Sequence, residues 1–104
     1  MLVNIVKFPP IATGREDDFE AWFEWSNELY ARFEGFLSRR LLKPLDGGGP
    51  YVGIVEHESH ETFMAMHTSA ERQTARARVD DLFEGRPEPR FYEVVIASKP
   101  TSPL

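Results

Sequence analysis

The sequence predicts an α+β domain of ferredoxin-like type, β-α-β-β-α-β, with a four-stranded antiparallel sheet and helices on one face. Three observations carry this. A long apolar stripe at helical spacing (Phe19, Trp22, Phe23, Ser26, Leu29, Tyr30, Phe33) is set between short β-rich stretches. Two of those stretches, residues 36–43 and 51–57, are joined by the turn-forming segment 44–50 (PLDGGGP), the pattern of an antiparallel hairpin. The second of them then passes within about three residues into a helix, which must fold back against the sheet.

In chain order, residues 2–8 (LVNIVKF) form the first strand, stopped by Pro9 and Pro10. One face carries Leu2, Asn4, Val6 and Phe8, the other Val3, Ile5 and Lys7. Each face is apolar but for one residue, Asn4 or Lys7, so either could present a polar group to a pocket. Thr13 and Glu16 have capping-box spacing, and acids follow at Asp17, Asp18 and Glu20, where the helix dipole favours them. The stripe then predicts a helix over 14–33, with Gly35 as its C′ residue. Trp25 lies off the centre of that stripe and either widens the buried face or serves a subunit contact.

After the hairpin comes an acidic, histidine-rich corner, Glu56 to Glu61. Ser59 suits the N-cap of a short helix containing Thr62, Phe63, Met66 and His67. Ser69 caps a further helix over 70–83, whose inward stripe is Arg72, Ala75, Arg76, Val79, Leu82 and Phe83. Gly85 to Pro89 breaks it, and residues 90–98 (RFYEVVIAS) form the last strand. The domain therefore spans 1–98, with 99–104 as a loose tail. The third and fourth strands are apolar on both sides while helices cover only one, so a second copy of the chain is the economical cover: a homodimer is expected.

At 104 residues there is room for one core, and 41% hydrophobic content with eight Phe argues against disorder. No apolar run approaches the roughly 20 residues that cross a bilayer, and no signal-peptide pattern opens the chain. The absence of cysteine excludes disulfide and thiolate chemistry and makes a cytoplasmic location the default. A net charge of −5 disfavours nucleic acid as a partner. No membrane partner is expected either.

With Gly35-Phe36 opening the second strand, Leu41-Leu42-Lys43-Pro44 closing it, and Glu58-Ser59-x-Glu61-x-Phe63 opening the second helix, the chain resembles the antibiotic biosynthesis monooxygenase superfamily from about residue 3 to 96. The resemblance implies a dimeric α+β barrel. Members include haem-degrading monooxygenases and cofactor-free oxygenases of quinone biosynthesis. Of the residues the haem degraders use, the strand Asn position falls on Lys7, the helical Trp on Met66, and the axial His on Ala75, beside Arg76. The polar positions of the quinone-forming members fall on Gly53, His57 and Phe63, and only their helical Arg finds suitable chemistry nearby, in Arg76.

The resemblance therefore implies a monooxygenase that acts on a small aromatic substrate with O₂ and no tightly bound cofactor. A deprotonated phenol can itself reduce O₂, so the protein need only hold the ring, stabilise the anion and exclude water. Arg76 is the candidate catalytic residue; its structural alternative is an ion pair with Glu20 or Glu93. Phe23, Phe63 and Met66 are the expected walls, with Lys7 and Asn4 as polar lining. His57, His60 and His67 are spaced to permit a metal site without compelling one, and one of them could be a general base. No metal is expected. Two alternatives remain: a haem-binding or haem-degrading protein, and a non-catalytic dimeric module that binds small molecules.

Overall fold

The structure, a computed structural model, describes residues 1–98. The expected tail, 99–104, lies outside the described residues. The strands are β1 (Leu2–Lys7), β2 (Phe36–Leu42), β3 (Val52–His57) and β4 (Glu88–Glu93). The helices are α1 (Glu16–Tyr30), α2 (His60–His67) and α3 (Ala70–Val79), and a 3₁₀ turn, Asp80–Leu82, follows α3. The four strands pair in the order β2-β3-β1-β4, every pair antiparallel, which is the ferredoxin-like arrangement the sequence predicts.

Register decides which side chains meet the helices. Asn4 pairs with Val55 on one side and Phe91 on the other, and Arg39 pairs with Val55, so these four share a face. Lys7 pairs with Val52 and Glu88 and belongs to the opposite face with Val3, Ile5 and Ile54.

Four boundaries differ from the sequence-based expectation, each for a local reason. α1 starts at Glu16, because Gly14 takes a positive φ of 80° and Arg15 N–H bonds back to the Ala12 carbonyl. Thr13 therefore caps nothing; Arg15 is the N-cap and makes no side-chain cap bond. The first-turn acids Glu16, Asp17 and Asp18 remain to complement the dipole. At the other end α1 stops at Tyr30 with Ala31 as C-cap, so Gly35 (φ 83°) turns the chain into β2 rather than ending the helix. The third helix tightens into a 3₁₀ turn after Val79. Finally, the last strand runs Glu88–Glu93 rather than 90–98, since the β1 ladder it pairs with begins at Leu2, opposite Glu93. Beyond one last bond, Val94 N–H to the Met1 carbonyl, β1 offers no partner, and Val95 and Ile96 stand 90% and 91% exposed.

The core between sheet and helices forms two clusters. Leu2, Tyr30, Val55, Phe63, Met66 and Ala75 pack at one end; Phe8, Phe19, Phe23, Tyr51, Val79 and Leu82 pack at the other. Trp22 ties the helical layer together by donating from Nε1 to the Ala75 carbonyl at 2.8 Å. Trp25 is half-buried against the first cluster, with the Arg78 guanidinium 4.3 Å over its ring, so it widens the buried face.

Candidate functional site

A cavity of about 310 Å³ lies where the two clusters part. Its sheet side is Asn4, Val6 and Phe8 from β1 and its flank, Val55 from β3 and Arg39 from β2. Its helical side is Trp22 and Tyr30 from α1, Phe63, Met66 and His67 from α2, and Arg72, Arg76 and Val79 from α3. A second cleft, about 450 Å³, lies among the Pro9–Pro10 and Pro44–Pro50 loops with only Glu16 and Lys43 as charged lining. It is larger, but brings together no set of groups that could act in concert.

Arg39 is the residue around which the first cavity is built. Strand alternation turns it inward two positions before Leu41, and the bulge between Phe36 and Ser38 sets that register. Its Nη1 donates to the Phe23 carbonyl (3.1 Å), Ser26 Oγ (2.7 Å) and Asn27 Oδ1 (2.8 Å). The guanidinium lies 3.7 Å over the Phe23 ring and 4.7 Å over Tyr30. Among the described residues no carboxylate pairs with it. Burial lowers its pKa to about 10, which leaves it charged at neutral pH.

The other ionisable groups are poised by the same crowding. Burial, then the Arg72 and Arg76 charges, push His67 below its ordinary value, so its imidazole is neutral near pH 7. Burial raises the Tyr30 phenol, an effect that Arg39, Arg72 and Arg76 partly offset. Burial and the neighbouring Arg76 charge lower Arg72. Asn4 is buried, and its Oδ1 has no hydrogen-bond partner among the described residues. The arrangement thus offers a neutral imidazole as base, three guanidiniums for a developing anion, and aromatic walls for a flat ring.

Of the residues singled out from the sequence, Asn4, Phe63, Met66 and Arg76 line the cavity. Lys7 does not: it is exposed on the opposite sheet face, where strand alternation puts it. Phe23 is buried behind the wall, packed towards Gly53 and under Arg39. Arg76 pairs with Asp80 at 2.7 Å on its own helix rather than with Glu20 or Glu93. Glu20 instead accepts a hydrogen bond from the Tyr51 hydroxyl at 2.6 Å.

The three histidines diverge. His57 is fully buried between the Phe36 and Phe63 rings, His60 meets Phe91, and only His67 reaches the cavity, stacked on Phe63 at 5.4 Å. Among the described residues no three His, Cys, Asp or Glu side chains come together as metal ligands. Ala75, where the resemblance expects an axial imidazole, is wholly buried with its carbonyl taken by Trp22. The residues here do not fit a haem held from α3.

Arg39, Arg72 and Tyr30 complete the site without having been singled out. Parity with Leu41 is the signal that would have found Arg39. Arg72 stood on the α3 stripe beside Arg76, and Tyr30 on that of α1.

The family model for antibiotic biosynthesis monooxygenase matches residues 1–78. No curated protein matches the sequence. Among solved structures, SnoaB, a cofactor-independent oxygenase from Streptomyces nogalater, is similar at 20% identity and a TM-score of 0.80, over 93% of this chain and 95% of that one. A Mycobacterium tuberculosis protein is similar at 17% identity and a TM-score of 0.80, over 94% and 98% of the two chains. At these identities the likeness establishes the fold alone. A MhuD variant with two manganese protoporphyrin IX molecules bound per active site is 25% identical, with a TM-score of 0.78 over 96% of this chain and 100% of that one. Among the described residues no helix is long and apolar enough to cross a membrane.

Proposed function

The chain belongs to the antibiotic biosynthesis monooxygenase family, and from that premise we propose that it is a monooxygenase that oxidises a small aromatic substrate with O₂ and no tightly bound cofactor. The observation that carries this reading is the convergence of a neutral imidazole, His67, with the Arg39, Arg72 and Arg76 guanidiniums on one mainly apolar cavity. His67 takes a proton from an acidic phenol or from a ring methylene activated by one. The guanidiniums hold the anion, and Phe63, Met66 and Val6 keep water from it. The carbanion form adds O₂ to give a hydroperoxide, which loses water to leave a ketone or quinone. One oxygen atom enters the product and the other leaves as water; the four electrons that reduce O₂ come from the substrate C–H and O–H bonds that break.

The cavity volume supports a ligand of one to three rings, since about 310 Å³ lies at the small end of ligand pockets. Ala75 in place of a ligating imidazole favours this chemistry over haem degradation. A second copy of the chain covers the outer sheet face, and the working protein is a cytoplasmic homodimer.

The test is O₂ uptake with polyphenolic substrates, alongside Arg76→Ala and His67→Gln. Arg76 is partly exposed, so its loss leaves the fold intact. Turnover should fall about 10²–10³-fold for Arg76→Ala and about 10²–10⁴-fold for His67→Gln. Unchanged turnover in Arg76→Ala removes that residue from the mechanism. A Soret band on haem titration would move the assignment to the haem-binding branch. Saturable binding of phenols with no O₂ uptake would leave a non-catalytic binding module.

A further inference from the structure

The charge inside the cavity runs against that of the whole chain. The protein carries −5 overall, yet three guanidiniums line this one hollow, and among the described residues the only ion pair made by any of them is Arg76 with Asp80. Tyr30 and His67 are both neutral near pH 7 and contribute no counter-charge. An excess of about two positive charges is held in a small, largely apolar volume. Such an excess is costly to maintain without a partner.

Arg39 shows where the partner would sit. Among the described residues its three hydrogen bonds are all made through Nη1, which leaves the Nε and Nη2 donors without acceptors there. Neither nitrogen is sealed away without a partner, and Arg39 is part of the cavity wall. Nε and Nη2 form the edge of a guanidinium that a carboxylate grips with two parallel bonds.

We propose that the cavity selects an aromatic hydroxy acid, a flat ring bearing a carboxylate and a neighbouring hydroxyl, with Arg39 as the residue that sets this selectivity. The proposal rests on the function proposed above for the same cavity and names its substrate class. The carboxylate docks on the free edge of Arg39, with Arg72 and Arg76 adding to the positive field. The ring, whose hydroxyl is the phenol of the proposed reaction, lies among Tyr30, Phe63 and Met66. Neutral phenols of the same shape would meet an uncompensated guanidinium and bind less tightly.

The probe pair is 1-hydroxy-2-naphthoate and its neutral carboxamide, titrated without O₂ so that turnover cannot intervene. Calorimetry gives the affinities, and Trp22 in the cavity wall supplies a fluorescence signal. The acid should bind the wild-type protein about tenfold or more tighter than the amide, as expected for a hydrogen-bonded charge pair. In Arg39→Met that ratio should fall to near one. Arg39 also braces α1, so a companion variant, Arg72→Gln with Arg76→Gln, removes the field at two partly exposed positions; there the ratio should drop at least threefold. Equal affinities in the wild type overturn the proposal, as does no saturable binding of the acid at millimolar concentration. A ratio retained in a cooperatively folded Arg39→Met, or in the double variant, overturns it as well. Preference for the acid without O₂ uptake sinks the monooxygenase reading and leaves this one standing. Turnover of neutral phenols without that preference does the reverse.

Discussion

His57 ties stability to pH through one buried ring. Thr62 spends its hydroxyl proton on the Ser59 carbonyl, so Thr62 Oγ1 is left to accept from His57 Nδ1 at 3.1 Å. Nε2 then carries a lone pair, and a proton placed there would find no acceptor among the described residues. Burial accordingly pushes His57 below its ordinary 6.5. The sign follows by linkage: the unfolded chain takes up this proton near 6.5 and the folded chain only at lower pH. Stability contributed by the neutral ring is full above 6.5 and is lost as pH falls towards the depressed folded value. Urea midpoints should therefore drop between pH 7 and 5.5, with a shallower slope in His57→Leu. His67 is shifted the same way and accounts for part of the slope that remains. An unchanged slope in His57→Leu would assign the effect elsewhere.

Elements here are set by caps and turns more than by propensity. Ser59 accepts from Thr62 N–H at 3.1 Å while Thr62 Oγ1 accepts from Ser59 N–H at 3.2 Å, a reciprocal box that starts α2 directly after β3. Ser59→Ala should cost about 1 kcal/mol, a fall in Tm of roughly 4–8 °C for a chain this size, read by thermal melting. Gly35→Ala should cost more. Its φ of 83° belongs to the left-handed region, which penalises an L side chain by about 1–2 kcal/mol. An added Cβ would also run into the Thr62 side chain that completes the box. α3 shows the opposite economy: only Ala75 and Val79 bury its face, which leaves Arg72 and Arg76 free to face the cavity.

At the scale of the whole molecule, no helix among the described residues covers the outer sheet face. Val3, Ile5, Val52, Ile54, Leu42 and Tyr92 lie there with no helix over them, and Leu42 and Tyr92 are 43% and 44% exposed. β4 is exposed along its entire length. A second copy packed sheet to sheet would bury this face, so sedimentation should find a dimer and Ile54→Lys a monomer. A monomeric wild-type protein would withdraw the homodimer.

The order of strands and helices, the Ser59 and Ser69 caps and the apolar stripe of α1 were determined by local spacing alone, because period and capping chemistry act within a few residues. So were Phe63, Met66 and Arg76 as inward positions. What only the tertiary structure decided was who meets whom. Ladder length ended β4 at Glu93, strand parity sent Lys7 outward, and Gly53 with Arg39 drew Phe23 into the core. Arg39 became the centre of the site because β2 passes beneath α1, and an unpaired charge acquires meaning only from the elements that fold around it.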